Sequence, residues 1–229
     1  MIYLSDIHLE HVRGQELEYL SSLLLSCPEF DVCVLAGDIA YPSMLGRVFQ
    51  YLSIKFKHVV YVAGNHEYWE NGTFFVDAIP NNVHILNNSN VVIDGQRYIG
   101  STLWFPFDPL NQIYERNMPD FNIPGFRSWI YNVANESAAY LKNNMQENDI
   151  VVTHHLPSYR CVDKQFVGSQ LNRFFVHPME NEILDCNPKM WIHGHTHHSV
   201  NTMIGDTRIL CNPVGYPSER NRQFKFHNV

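Results

Sequence analysis

Short apolar runs recur along the chain, and each gives way at once to a small residue and then to polar ones. "MIYLS" (1–5), "DVCVLAG" (31–37), "HVVYVAG" (58–64), "DIVVTH" (149–154) and "KMWIHG" (189–194) follow this pattern. Runs of this length, apolar at successive positions, predict strands covered on both faces. Between them, "GQELEYLSSLLL" and "PSMLGRVFQYLSIKF" repeat apolar residues at three- and four-residue steps and predict helices. The first ends near Cys27-Pro28 and the second opens on Pro42-Ser43. "RSWIYNVANESAAYLKNNM" predicts a third helix and "PMENEIL" a shorter fourth. "VHILNNSNVVIDGQRYIGSTLW" and "SVNTMIGDTRILCNP" predict hairpins that turn at Asp94-Gly95 and Gly205-Asp206. Without repeats or linkers, the pattern predicts one layered α/β domain over residues 1–229 with mixed sheets.

The chemistry gathers where the strands end. Asp6 and His8 follow the first run, Asp38 the second, and Asn65 and His66 the third; His154 ends the fourth, and His195 and His197 follow the fifth. In open α/β sheets, ligands collect beyond the carboxyl ends of the strands. The last of these stretches, "WIHGHTHH" (191–198), is too dense in imidazole for a core to satisfy every ring nitrogen, so some of its rings are expected to be metal ligands.

Composition narrows the choice. The chain has 229 residues, 45% of them hydrophobic, which suffices for one substantial core. A formal net charge of -7 argues against a general nucleic-acid binder. Cys27, Cys33, Cys161, Cys186 and Cys211 form no CxxC pair and are odd in number, so a disulfide framework is not expected; Cys33 and Cys211 read as small buried hydrophobes. No apolar stretch reaches membrane-span length, and the chain opens directly on strand-like residues, so the expected location is cytoplasmic, without signal peptide or membrane partner.

Taken in order, "SDIH", "AGDI", "GNHE", "VTHH" and "GHTH" resemble the motifs of calcineurin-like metallophosphoesterases, over nearly the whole chain from Asp6 to about Tyr216. The resemblance implies a four-layer αββα sandwich of two mixed β-sheets flanked by helices, carrying two divalent transition metal ions. By the family pattern Asp6, His8 and His197 hold one metal; Asn65, His154 and His195 hold the other, and Asp38 bridges both. His193 and His198 are then bystanders, packed at a strand end and on the surface. The donor chemistry agrees: carboxylate, amide oxygen and imidazole without thiolate suit Mn, Fe, Co, Ni or Zn, with Mn favoured. Metal binding can lower the pKa of water by roughly nine units, worth on the order of 12 kcal/mol, so a shared hydroxide needs no Ser or Cys nucleophile.

His66 follows a ligand without being one, and the resemblance makes it a general acid or transition-state donor, with Glu67 a candidate partner for its ring. His11, His58, His84, His155, His177 and His227 are read as structural or surface residues, His155 also being a candidate for substrate contact. Residues 102–129, rich in aromatics and Pro, with Arg116 and Arg127, read as an insertion or lid. Trp104, Phe105, Phe107 or Tyr114 could stack a base there, but a small satellite core is the favoured reading. In "CNPVGYPSER", Val214 stands where relatives often carry Arg, which leaves Arg160 or Arg220 as the candidates for a phosphate contact.

The expected function is therefore dimetal-dependent hydrolysis of a small phosphoester, a nucleotide among the candidates, with a phosphodiesterase favoured. A phosphomonoesterase, including a protein phosphatase, shares the same ligands. A nuclease fits the acidic charge poorly. A non-enzymatic scaffold would be expected to have lost ligands, and this chain keeps them all, His66 included.

Overall fold

The computed structural model describes residues 1–219 and 221–226; Arg220 and His227, both weighed above, lie outside the described residues. Strands β1 (Ile2–Leu4), β2 (Val32–Ala36), β3 (His58–Val62) and β4 (Val83–Ile85) pair in that order, each pair parallel. Helices α1 (Glu16–Leu24) and α2 (Pro42–Lys55) supply the first two crossovers. Pro42 sits in the first turn of α2, where its missing N–H costs nothing.

The second sheet has strands β5 (Ser89–Ile93), β6 (Gln96–Ser101), β7 (Ile150–Thr153), β8 (Met190–His193), β9 (Val200–Ile204) and β10 (Thr207–Cys211). Their order is β5-β6-β7-β8-β10-β9, with antiparallel hairpins at both edges of a parallel centre. The mixed pairing therefore resides in this sheet. Helices α3 (Asn111–Tyr114) and α4 (Phe126–Asn144) lie between β6 and β7 in the chain, and α5 (Glu180–Cys186) precedes β8.

Alternation along the central strands creates the layers. Val32, Val34 and Ala36 of β2 face Ile150 and Val152 of β7 and Met190 and Ile192 of β8 in a core between the sheets. Cys33 and Leu35 turn the other way, towards Leu20, Leu24, Val48 and Phe49 of α1 and α2. Val151 and Trp191 do the same on the far side, against Leu141 of α4 and Ile183 of α5. The result is the expected αββα sandwich, with strands buried on both faces because both faces are covered.

One stretch departs from the sequence reading. Residues 83–104 do not make a single hairpin: Val83–Ile85 pairs with β3 in the first sheet, and only β5 and β6 form the hairpin, turning at Asp94-Gly95. Leu86 is buried, its N–H donating to the Tyr61 carbonyl at 2.7 Å, and Asn88 (φ 49°) redirects the chain to the other sheet. Asn tolerates left-handed backbone better than most residues with a side chain.

Gly100 in β6 is closely surrounded: an added Cβ would lie 2.6 Å from the Val152 carbonyl oxygen of the neighbouring strand and 2.9 Å from Val62 Cγ1 of the facing sheet. Gly100→Val is expected to cost about 1–3 kcal/mol and to lower Tm by roughly 3–10 °C, read by thermal unfolding with and without added metal.

Candidate metal centre

The strand ends converge on one cluster. Ligand atoms of Asp6, His8 and His197 lie within 4.8 Å of one another, and so do those of Asp38, His154 and His195. The Asn65 side-chain oxygen is 3.0 Å from His154 Nε2, which is 3.2 Å from His195 Nδ1. Asp38 stands between the groups: its Oδ2 is 3.5 Å from His154 Nε2 and 3.8 Å from His8 Nε2. All seven residues expected to ligate are thus brought together.

The backbone carries strain at the same places. Asp6, His8, Asp38, His195 and His197 all have φ between 46° and 69°. Left-handed backbone costs a residue with a Cβ about 1–3 kcal/mol and persists only where the surroundings impose it. Here the loops are laced together: Asp6 N–H donates to Gly37 O, His8 N–H to Asp38 O, and Gly194 N–H to His154 O, each at 3.0 Å. Gly64 completes the fit, since a Cβ there would collide with the Asp38 carboxylate and the His154 ring.

Hydrogen bonds fix which ring nitrogens are free. His154 Nδ1–H donates to the Ala36 carbonyl at 2.8 Å, which leaves Nε2 a lone pair facing Asp38 and Asn65. His8 Nδ1–H donates to Glu10 Oε1 at 2.9 Å, and its Nε2 meets His197 Nε2 at 2.9 Å. Asn65 Nδ2–H donates to Asp120 Oδ1 at 2.9 Å, turning the amide oxygen inward. Such outer partners orient ligands and raise their basicity.

The charges also ask for cations. Burial pushes Asp6 up to about 7, with Asp38 adding to the shift, and it pushes Asp38 well above the usual carboxylate range. Among the described residues, neither has a Lys or Arg within ion-pair distance. Burial lowers His8 to about 4 and His197 to about 3, and holds His195 well below the ordinary imidazole range. Neutral imidazoles converging on buried, uncompensated carboxylates suit two divalent cations of borderline softness.

His66 behaves differently. Burial opposes its charge, but Asp38 and Glu10 outweigh burial and raise its pKa. Its Nδ1–H donates to Glu10 Oε1 at 2.8 Å, and its Nε2 lies 3.3 Å from the Tyr216 hydroxyl and 3.9 Å from Asp38 Oδ2. The partner of the ring is therefore Glu10 and not Glu67. Glu67 instead accepts backbone N–H groups of Gly64 and Ile39 at 2.7 Å and of Asp38 at 3.0 Å. Burial disfavours the Glu10 carboxylate, yet hydrogen bonds from His66 and His8 prevail and hold it down at about 2.

Other residues fall outside the cluster. His193 is fully buried with Nδ1 on the Gly194 carbonyl, and His198 pairs with Asp163 at 2.7 Å on the surface. His155 is buried against the His195 ring, 4.4 Å between centroids, and does not line the adjoining pocket. Arg160 pairs with Glu180, and Arg127 with Glu115. In the 102–129 segment Trp104, Phe105, Phe121 and Phe126 form a buried aromatic core, while Phe107 is exposed.

Sequence reasoning missed Glu10, Asp120, Tyr216 and Trp69, whose ring stacks on His66 at 3.7 Å. Glu10 left one signal, an acid two residues beyond the expected ligand His8. Asp120 left none, being 55 residues from the side chain it orients. Asp120→Ala is expected to weaken Mn²⁺ binding about 10–100-fold, measured by titration calorimetry, if the Asn65 amide oxygen serves as a ligand.

Comparison with known proteins agrees with this geometry. The sequence profile of the calcineurin-like phosphoesterases matches residues 2–199. An uncharacterized protein of Acanthamoeba polyphaga mimivirus is 26% identical over 262 residues, covering 96% of this chain and 92% of that protein. The crystal structure of phosphopantetheinyl hydrolase from Mycobacterium tuberculosis shares the fold, with TM-score 0.68 and 17% identity over 95% of this chain and 89% of that one. The matched residues include every member of the cluster, and the chain belongs to the calcineurin-like phosphoesterase family of metal-dependent hydrolases.

Proposed function

We propose that this chain hydrolyses phosphodiesters, with Asp6, His8 and His197 holding one cation, Asn65, His154 and His195 the other, and Asp38 shared between them. The observation that carries the reading is the position of Asp38 Oδ2, within 3.8 Å of ring nitrogens from both groups. Bound divalent cations supply Lewis acidity towards phosphoryl oxygens and an activated water at neutral pH. Carboxylate, amide oxygen and imidazole without thiolate suit Mn, Fe, Co, Ni or Zn, and Mn is the ion used in the tests.

The chain's own residues supply the rest. Glu10, accepting Nδ1–H from both His8 and His66, holds the His8 lone pair on the cluster and keeps His66 oriented. His66 Nε2 is then placed to give a proton to the departing alkoxide. The Tyr216 hydroxyl beside Nε2 limits the ring's rotation and marks where a leaving-group oxygen would approach. A diester is favoured because it brings a second organic substituent, and the pocket beside the cluster has room for one. The name of the Mycobacterium tuberculosis protein, phosphopantetheinyl hydrolase, likewise points to an ester with an organic arm.

The test compares bis(p-nitrophenyl) phosphate with p-nitrophenyl phosphate after chelation and Mn²⁺ addition. A diester preference is expected, with activity lost on chelation and lowered at least about 100-fold by Asp38→Asn. His66→Asn is expected to lower kcat by about 10²–10⁴-fold on an alkyl ester and by less on the activated nitrophenyl ester. A monoester preference would make the chain a phosphomonoesterase with the same ligands.

A further inference from the structure

We infer that the pocket beside the metal cluster is a subsite for an uncharged, predominantly apolar arm of the ester. For what that arm is attached to, this rests on the phosphodiesterase reading. The pocket encloses about 380 Å³, near the small end of the range for small-molecule sites. Asp38, Asn65, His195 and His197 are among its lining residues, so a group bound at the cluster projects directly into it.

Its walls have a distinct origin and character. Val162, Phe166, Leu171 and Phe175 come from the connection between β7 and α5, and Trp69 and Met118 from elsewhere in the chain. The apolar surface begins at the cluster itself, because Phe175 packs on the His195 ring at 4.4 Å and Trp69 on the His66 ring at 3.7 Å. Phe166 remains 52% exposed, and an exposed large aromatic at the mouth of a pocket marks a contact surface for a ligand.

Charge reinforces the reading. Asp120 and Glu219 line the pocket, and no Lys or Arg does among the described residues. Of the three cations of the β7–α5 connection, Arg173 pairs with Asp108 at 2.9 Å and lies over the Tyr114 ring, Arg160 pairs with Glu180 at 3.2 Å, and Lys164 is exposed and does not line the pocket. An arm carrying a further phosphate or carboxylate would meet acids and apolar walls, whereas an alkyl or other neutral arm gains by burial.

Titration calorimetry on the whole Mn²⁺-loaded chain tests this with methylphosphonate, n-hexylphosphonate and 6-phosphonohexanoate. Each buried methylene is worth about fourfold in affinity, so hexylphosphonate, with part of its chain buried, is expected to bind at least about thirtyfold more tightly than methylphosphonate. The terminal carboxylate of 6-phosphonohexanoate is expected to remove at least about tenfold of that gain. Phe166→Ser, at an exposed position where folding is not at stake, and Leu171→Asp should each narrow the hexyl-to-methyl ratio by about fivefold or more. Equal affinity for the methyl and hexyl ligands, no binding of hexylphosphonate, a carboxylate-ended chain as good as the alkyl one, or an unchanged ratio in both variants would overturn the assignment. Hydrolysis of bis(p-nitrophenyl) phosphate by the same preparation is read separately. Selective hexylphosphonate binding without diester hydrolysis keeps the apolar subsite and removes the phosphodiesterase reading.

Discussion

With both oxygens of its buried carboxylate, Glu67 accepts N–H groups of Gly64, Asp38 and Ile39, so the loops after β2 and β3 cannot part without stranding a charge. Hydrogen bonds to a charged group are worth about 1.5–3 kcal/mol each, and leaving the buried carboxylate unpaired would cost more. The clamp holds Asp38 in left-handed backbone between the two side-chain groups of the cluster. The loop after β1 is then sewn to the same frame through Asp6 N–H on Gly37 O and His8 N–H on Asp38 O. Strain at five cluster residues is tolerated because the surrounding hydrogen bonds leave the chain little else to do.

That rigid frame sets up an electrostatic imbalance. Asp6 and Asp38 are almost wholly removed from water, and burial favours the neutral state of the His8, His195 and His197 rings. Each feature alone would be destabilising, since a buried acid wants a counter-charge and an unpaired ring nitrogen wants a donor. Together they form a site suited to a group that is positive and accepts lone pairs. The outer partners Glu10, Asp120 and the Ala36 carbonyl point the lone pairs inward before any ion arrives.

The 102–129 segment shows how a satellite core serves the centre. Its aromatic rings pack on one another and on Phe174, which holds the segment against the sandwich. From that anchorage Asp120 reaches Asn65 and Trp69 with a single oxygen, at 2.9 and 2.8 Å. The same segment contributes Met118 and Pro119 to the pocket, so packing, the orientation of the Asn65 amide and the shape of the pocket are coupled through a few residues.

Read along the chain, the short apolar runs ending in Gly, Ser or Thr determined the strands, and their polar followers Asp6, His8, Asp38, Asn65, His66, His154, His195 and His197 marked the cluster. This was legible because strand burial and the placement of ligands at strand ends are both local, leaving period and residue type in the sequence. The fate of Val83–Ile85 was not legible, because a three-residue strand pairs with either sheet equally well until its neighbours are fixed. Nor were the partners of the cluster residues. Glu10 reaches His66 across 56 positions, Asp120 reaches Asn65 across 55, and Tyr216 reaches His66 across 150. An acid or hydroxyl in a turn looks alike whether it meets water or a buried ring. Only tertiary packing, which removes the water, decided which of them became part of the centre.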